Sequence, residues 1–426
     1  MIGAFRAQNT SSERQDYEIK RNHVSVRPDV GGDRARFRLG NCLPRLPEFV
    51  KRSRKYKTRP FRYRLDRWIR HIVMGIIGWL APELEAVDVN PRSESIKQVL
   101  LVRANFRMGN AILALPAVAA FRKNFPDARI DFVGSPISAL LFQHQPLNSH
   151  YSAPRRFPQV LWQYPRLMRS LRANRYDLAV DLSCSQSGLA AFIVGFSGAR
   201  IRAGITGKWD RAFNLKMARP RDRNKYGKLT GILTALGLQH IDALGSIQFS
   251  PAEKAVGYKR LELIAGTNGG KTVGVFVGGR KLRGKRWPLE NFTELIKKLR
   301  EHGLRVIAFL GPEETEIGDP LRALIGPSVP VTFEPSARKF AALIAGLDLM
   351  ICCDSGPMHL ACATGVPVLA IFQGRNVERW SPPACAARIV HDQNGVGTGA
   401  VLQAALEALS AEKSAERSAI SPVAID

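Results

Sequence analysis

Residues 347–372 read LDLMICCDSGPMHLACATGVPVLAIF, and this stretch decides the fold. Its apolar runs at 347–352 and 367–372 predict two buried strands, and the segment 357–364 between them predicts a helix. Parallel strands need a crossover connection of this kind, because a tight turn cannot join them. The stretch therefore indicates an α/β protein with a parallel sheet.

The same alternation of strands and helices continues in both directions along the chain. We predict strands at 99–103, 128–133, 177–182, 272–277 and 305–310, and helices at 111–123, 289–302 and 337–346. A polar stretch near 240–270 divides these elements into two groups. We therefore predict two Rossmann-like, doubly wound parallel-sheet domains that face a central cleft. Ligands of such sheets bind beyond the carboxyl ends of the strands, so the loops there form the candidate site.

The composition limits the class of protein. Of 426 residues, 63 are Lys or Arg and 36 are Asp or Glu, which gives a formal charge of +27. Hydrophobic residues make up 45% of the chain, so large cores can form and global disorder is excluded. The six cysteines are too few for a disulfide scaffold and lack the paired spacing of a zinc site, so we expect a reducing compartment.

The N-terminal segment is strongly basic and lacks the apolar run of a secretory signal. In residues 1–64 the apolar residues show no sustained helical or strand periodicity, so we predict a poorly ordered cationic arm. Residues 65–80 follow a helical period and include two tryptophans, but their apolar stretch is too short to span a bilayer. This helix either lies on an anionic membrane or packs against the main domain. Nonspecific nucleic-acid binding by the arm is a third interpretation.

Two loops of the second group carry residues suited to an anion. The loop at 278–288 combines glycines with five cations and ends in Pro288, at the start of a helix. It is either a diphosphate site or a solvated basic loop, and it matches neither a dinucleotide fingerprint nor a P-loop. In the loop at 353–359, Asp354 or Ser355 can cap a helix whose first amides face a phosphate. The alternative is an ordinary capped helix with a satisfied His359.

A third loop follows the first predicted strand, at Arg107-Met108-Gly109-Asn110. A carboxylate at the last position would be a candidate general base. The residue there is Asn110, and an amide cannot accept a proton.

These loops and their neighbours resemble glycosyltransferase family 9, the heptosyltransferases of lipopolysaccharide core synthesis. The resemblance extends over about 96–395 and is carried, in the family's order, by matching segments at 101–103, 107–110, 115–117, 125–130, 176–182, 197–204, 285–289, 311–314, 354–360 and 365–367. The most specific pair is Lys-Arg-Trp-Pro at 285–288 and Asp-Ser-Gly-Pro-Met-His at 354–359.

The resemblance implies a GT-B architecture and an inverting, metal-independent glycosyl transfer. The donor would be a nucleotide sugar, usually ADP-heptose, and the acceptor would be lipid A-core at the cytoplasmic face of the inner membrane. The resemblance implies an acceptor domain at 96–255 and a donor domain at 256–408, and it implies no cofactor. The residue patterns add an arm at 1–64, a helix and linker at 65–95 and a loose or frayed helical tail at 409–426. An anionic membrane surface would be contacted through residues 51–80, and no specific nucleic acid is expected.

The resemblance also assigns roles to individual residues. Lys285 would neutralise the diphosphate, Glu314 would bind the nucleoside and Asp354 would hold sugar hydroxyls. The remaining donor-binding residues would be Gly279, Ser355, Gly356 and His359. Arg107 and Arg202 are the predicted acceptor-binding residues. A basic cluster at 208–225 is suited either to acceptor phosphates or to solubility alone.

One departure from the family affects catalysis. Family members usually have Asp where this chain has Asn110, and that Asp is the expected base. Asp181, at a strand end of the same half, is our candidate replacement; an acceptor phosphate or water is another. The alternative is a non-catalytic or weakly active nucleotide-sugar-binding homologue.

Overall fold

The computed structural model describes residues 85–87, 90, 91, 94–154, 159–239, 241–266, 270–279, 284–374 and 376–419. The predicted arm at 1–64 and the predicted helix at 65–80 lie outside these residues. Among the residues described, no helix is both long and apolar enough to cross a membrane.

The first half contains a sheet of six parallel strands. In chain order these are β1 (Gln98–Val102), β2 (Arg129–Gly134), β3 (Ser149–Ser152), β4 (Leu178–Asp181), β5 (Ile201–Ile205) and β6 (Leu215–Met217). The helices of this half are α1 (Met108–Ile112), α2 (Leu115–Asn124), α3 (Pro136–Leu141), α4 (Val160–Ala173), α5 (Gly188–Phe196) and α6 (Lys225–Ala235). The strand order is β3-β2-β1-β4-β5-β6, the doubly wound order that we predicted.

The second half repeats this topology. Its strands are β7 (Thr272–Phe276), β8 (Arg305–Leu310), β9 (Val331–Phe333), β10 (Leu349–Cys353), β11 (Val368–Gln373) and β12 (Ala387–Asp392). Its helices are α8 (Leu289–Glu301), α9 (Gly318–Ile325), α10 (Ala337–Ile344), α11 (Gly356–Thr364), α12 (Val377–Trp380) and α13 (Thr398–Ala419), and α7 (Pro251–Ala265) precedes the sheet. The order β12-β11-β10-β7-β8-β9 is that of the first sheet, so two Rossmann-like sheets are confirmed.

The central strands are buried on both faces. Every residue of β7 and of β10 is buried, as expected for strands that helices cover on both sides. Trp287 is fully buried against α8, and its indole N–H donates to the carbonyl of Val396 at 2.8 Å. The loop at 284–288 is therefore held against the sheet, with Lys285 in the lining of the cleft.

The structure corrects one predicted helix. Residues 111–123 do not form one helix, because α1 ends at Ile112 and α2 begins at Leu115. Pro116 accounts for the break, since proline has no N–H to donate to the carbonyl four residues earlier. At the other end of the chain, α13 continues to Ala419, well into the segment predicted as a tail.

Candidate active site

A cleft of about 500 Å³ lies between the carboxyl ends of the two sheets. The first half contributes the loop that precedes α1 and the residues of α1 itself. The second half contributes the loops that follow β7, β8 and β10 and the start of α11. The lining includes nine of the predicted site residues: Arg107, Asn110, Gly279, Lys285, Glu314, Asp354, Ser355, Gly356 and His359.

Two buried ion pairs form the second half's wall of this cleft. The Lys285 ammonium pairs with the Asp354 carboxylate, and both side chains are less than a tenth exposed. The Arg286 guanidinium donates to Glu314 Oε1 at 2.6 Å. Each pair joins different strand-end loops, so the cationic loop at 284–288 is fixed to the loops after β8 and β10. The charges are compensated within the protein, yet they border the cleft.

Gly279 allows the two arms of the cationic loop to approach each other. A Cβ atom there would lie 3.0 Å from both Arg286 Cα and the Lys285 carbonyl oxygen. Its φ of 156° is also rare for other residues. The Gly279 N–H reaches Glu314 Oε1 at 3.4 Å, so backbone and side chains converge on one carboxylate.

The start of α11 faces the cleft with its polar groups available. Ser355 occupies the N-cap position, but its side chain makes no capping hydrogen bond. Its buried Oγ has no hydrogen-bond partner among the residues that the structure describes. The first amides of a helix also lack intrahelical acceptors. A hydroxyl and amides that converge on one point form a suitable site for an anion.

His359 lines the same space as a neutral group. It is 3% exposed, and its Nδ1 lies 2.7 Å from the Tyr226 hydroxyl of the first half. Burial, together with the smaller effect of the Lys285 charge, lowers the pKa of His359 to about 4. Burial also raises the pKa of Tyr226 well above its ordinary value, so the phenol keeps its proton. At neutral pH His359 is therefore an uncharged hydrogen-bonding group in the cleft lining.

The first half's side of the cleft carries amides. Asn110 Nδ2 donates to Asn105 Oδ1 at 3.1 Å, which fixes the Asn110 side chain at the edge of α1. Gly109 makes the contact between the halves possible, because a Cβ there would lie 2.8 Å from His359 Cδ2. The close contact of α1 with α11 brings the Asn110 position near the start of α11.

The structure does not place Asp181 or Arg202 in this cleft. Asp181 is 1% exposed at the end of β4, where its Oδ1 accepts a hydrogen bond from Ser183 N at 2.8 Å. Burial raises its pKa to about 7, but a general base must reach the acceptor hydroxyl, and this carboxyl is outside the lining. Arg202 is 2% exposed on β5 and donates to the Gly195 carbonyl at 2.5 Å. A guanidinium buried in this way does not meet an acceptor phosphate at the surface.

Sequence reasoning missed two aromatic residues at the site. Trp380 ends α12 and lines the cleft, with Lys285 Nζ 5.8 Å from its ring centroid. Tyr226 reaches His359 from α6. Trp380 follows the buried strand β11 by a few residues, and this position was a signal that it faces the cleft. Tyr226 gave no such signal, because its role depends on how the halves pack.

Comparison with known proteins agrees with this geometry. Residues 164–403 match the family model for glycosyltransferase family 9 (heptosyltransferase). The chain is 25% identical over 297 residues to lipopolysaccharide heptosyltransferase 3 of Escherichia coli, which covers 64% of this chain and 83% of that protein.

Two solved structures share the fold. A family 9 glycosyl transferase from Veillonella parvula has a TM-score of 0.66 and 18% identity, covering 74% of this chain and 97% of its own. The E. coli ADP-heptose lipopolysaccharide heptosyltransferase II has a TM-score of 0.62 and 21% identity, covering 74% and 99%. Both support the GT-B architecture. Since the family model matches more than half of the sequence, the chain belongs to glycosyltransferase family 9 and is a glycosyltransferase.

Proposed function

We propose that this glycosyltransferase transfers a heptose, or a related sugar, from an ADP-sugar to a lipopolysaccharide core or similar surface glycolipid, with inversion and without a metal. The cleft supports this proposal because it joins an anion-binding wall of one half to the Asn110 edge of the other. The names of its relatives point to the same class of reaction, since they include a lipopolysaccharide heptosyltransferase and an ADP-heptose heptosyltransferase.

The second half's wall is suited to a leaving diphosphate. Negative charge develops on the diphosphate as the bond to the sugar breaks, and fixed cations and helix-start amides stabilise that charge without reorganising. Lys285 and the start of α11 supply such groups on one side of the cleft. Asp354 holds the Lys285 ammonium in place before the donor arrives, and it lines the cleft where the sugar hydroxyls would bind. Glu314, which Arg286 holds in the same way, faces the nucleoside.

The acceptor side works without a carboxylate at position 110. An inverting transfer needs the acceptor hydroxyl to lose its proton as it attacks. Asn110 positions that hydroxyl through its amide, and the proton passes to water or to an acceptor phosphate. The reaction is therefore slower than one assisted by a carboxylate. Measurable turnover distinguishes this proposal from the alternative, a binding protein that keeps the donor pocket but catalyses no transfer.

The decisive experiment removes the Lys285–Asp354 pair. A Lys285→Met, Asp354→Asn double variant leaves no buried charge unpaired, so loss of function does not merely report misfolding. Lys123 and Asp242 form an exposed pair of the same chemistry, about half exposed on each side. The Lys123→Met, Asp242→Asn variant is therefore the matched control.

We expect ADP affinity, measured by calorimetry, to fall at least tenfold in the first double variant and to stay unchanged in the control. Transfer is assayed by mass spectrometry of core-truncated lipopolysaccharide supplied with ADP-heptose. Unchanged ADP affinity in the first variant contradicts the assignment of the donor site. ADP binding without any glycosylated product favours the non-catalytic homologue.

The same proposal includes peripheral attachment to the cytoplasmic face of the inner membrane through residues 51–80. It rests on the sequence of that segment, which combines a basic run with an amphipathic pattern. Deleting residues 1–82 should abolish sedimentation with anionic vesicles. Sedimentation equal to that of the full chain rules this attachment out.

A further inference from the structure

Lys225 is a buried cation without an acidic partner. It is the first residue of α6 and is 7% exposed. Among the described residues its ammonium makes no ion pair and no hydrogen bond, although Lys285, Arg286 and Arg223 each pair with a carboxylate. Lysine is almost never fully buried unless it is paired. Its position therefore calls for a negative charge that the described residues do not supply.

Other cationic side chains lie close to Lys225. Its Nζ lies 6.0 Å from the centroid of the Trp380 ring, and Arg379 lies 5.8 Å from the same ring. Arg103 is 5% exposed nearby and donates to the Leu182 carbonyl and to Cys184 Sγ, and its charge also partly offsets the rise that burial causes in the pKa of the Asp181 carboxyl. Burial lowers the pKa of Lys225, and the charges of Arg379, Lys228 and Arg103 add to this effect.

This cationic group lies where the two halves meet, next to Trp380 of the cleft lining. Trp380 and His359 line the cleft, and Tyr226, the neighbour of Lys225, contacts His359. Asn224, which caps α6, donates to the Ser381 carbonyl of the second half at 2.9 Å. The start of α6 is therefore held against Trp380 by the packing of both halves, and Lys225 has little freedom to reach solvent.

We propose that Lys225, with Arg103 and Arg379 around it, forms a second anion-binding site that takes a phosphate or carboxylate group, separate from the diphosphate site at Lys285 and α11. The anion neutralises a charge that is otherwise buried and uncompensated. It also bridges the halves, since Lys225 belongs to the first and Arg379 to the second. A group carried by the sugar acceptor and a free phosphate ion share this chemistry. The acceptor assignment rests on the proposed function, whereas the site itself does not.

The first experiment needs no catalytic activity. The full chain is saturated with ADP to occupy the diphosphate site, and inorganic phosphate is then titrated while the thermal unfolding midpoint is measured. A ligand that binds the folded state raises this midpoint. We expect phosphate to raise it in the wild type and in Lys225→Arg, and not in Lys225→Met. Lys228→Met, one turn further along α6, is the control and should respond as the wild type does.

Two outcomes overturn the proposal. One is a phosphate response of wild-type size in Lys225→Met, which would leave the lysine a purely structural residue that packs on Trp380. The other is the absence of any response in the wild type. Failure of ADP itself to bind would instead contradict the donor assignment, and the titration of phosphate alone would still test Lys225.

A second measurement identifies the source of the anion. If the group belongs to the acceptor, Lys225→Met raises the KM for core-truncated lipopolysaccharide about tenfold and leaves ADP affinity unchanged, and inorganic phosphate competes with the acceptor. If the site takes free phosphate, the KM for the acceptor does not change and phosphate alters the rate without competition.

Discussion

The two sheets have the same strand order, but the edges that they present to the cleft differ in charge. The second sheet's edge holds two buried ion pairs, Lys285–Asp354 and Arg286–Glu314. The first sheet's edge holds a hydrogen bond between two amides, Asn105 and Asn110. One topology therefore provides a wall with ion pairs and, opposite it, an edge whose described lining residues include Arg107 and Asn110 but no carboxylate.

The difference has an energetic consequence. Burying an ion pair costs desolvation energy, and the attraction between the partners offsets that cost only while both are present. The second edge is therefore sensitive to the loss of a single charge. The first edge buries no formal charge in its amide pair, so its residues can be changed with less effect on folding.

The largest expected effect is on folding stability, from breaking one ion pair. Lys285→Met removes the cation that pairs with the buried Asp354 carboxylate, and should lower the free energy of unfolding by about 3 to 5 kcal/mol. Adding Asp354→Asn should recover most of this loss. Urea unfolding of the two variants measures the difference, with Lys123→Met as the exposed control. Equal stability of the single and double variants would show that the pair is not coupled.

A second test concerns the neutral imidazole behind the charged edge. The pKa of His359 is lowered from 6.5 to about 4, so the unfolded chain binds its proton more tightly than the folded chain does. The stability that depends on neutral His359 is complete above pH 6.5 and is lost as the pH falls toward 4. The expected loss is roughly 3 kcal/mol, from 1.36 kcal/mol per pKa unit.

The contribution of His359 is isolated by difference. Unfolding free energies of the wild type and of His359→Gln are compared between pH 7 and pH 4.5. His150, whose pKa burial also lowers to about 4, is present in both proteins and cancels. The variant should lose less stability than the wild type over this interval. Parallel pH profiles would mean that His359 is as easily protonated in the folded protein as in the unfolded one.

A third test introduces a negative charge at the first sheet's edge of the cleft. Asn110→Asp places a carboxylate at the cleft, where Asn105 can turn its amide N–H₂ toward it. A general base contributes typically 10²- to 10⁴-fold, so we expect turnover to rise on the order of a hundredfold. The transfer assay with core-truncated lipopolysaccharide measures this, and ADP affinity should not change. An unchanged or lower rate would show that the chemistry is organised around the amide.

Asp181→Asn is the companion variant. Asp181 lies outside the cleft lining, so this substitution should leave turnover within a few-fold of the wild type. A loss as large as that expected for a missing base would restore Asp181 as the catalytic group.

The sequence predicted most of the interior strands, but it missed β5 inside the first sheet as well as the edge strands. β7, β10 and β11 are buried on both faces and are encoded as continuous apolar runs. β3 and β9 are short, partly exposed edge strands with the sequences SHYS and VTF, and no period distinguishes them from loops. Strand-end loops also revealed the cleft residues, because parallel strands bring their carboxyl ends to one edge.

The pairing of those residues was beyond sequence reasoning. Lys285 and Asp354 were each predicted to face a ligand, but that they contact each other depends on how two loops 69 residues apart pack. Asp181 follows the same strand-end logic as Lys285, and Arg202 was predicted to bind the acceptor, yet both are buried outside the cleft lining. A one-dimensional pattern gives the edge on which a side chain lies, whereas its depth below the surface depends on the helices packed above it.

The smallest expected effect is at the point where the two edges meet. In Gly109→Ala the new methyl group would lie 2.8 Å from His359 Cδ2, and Tyr226 prevents the imidazole from rotating away. Because α1 is only five residues long and can shift, we expect a loss of about 1 kcal/mol in stability, the lower end for overpacking. Gly399→Ala, where nothing lies within 4 Å, is the control and should cost less. If His359→Ala restores the stability of Gly109→Ala, the contact between these residues limits how closely the halves approach; additive losses would place the strain elsewhere.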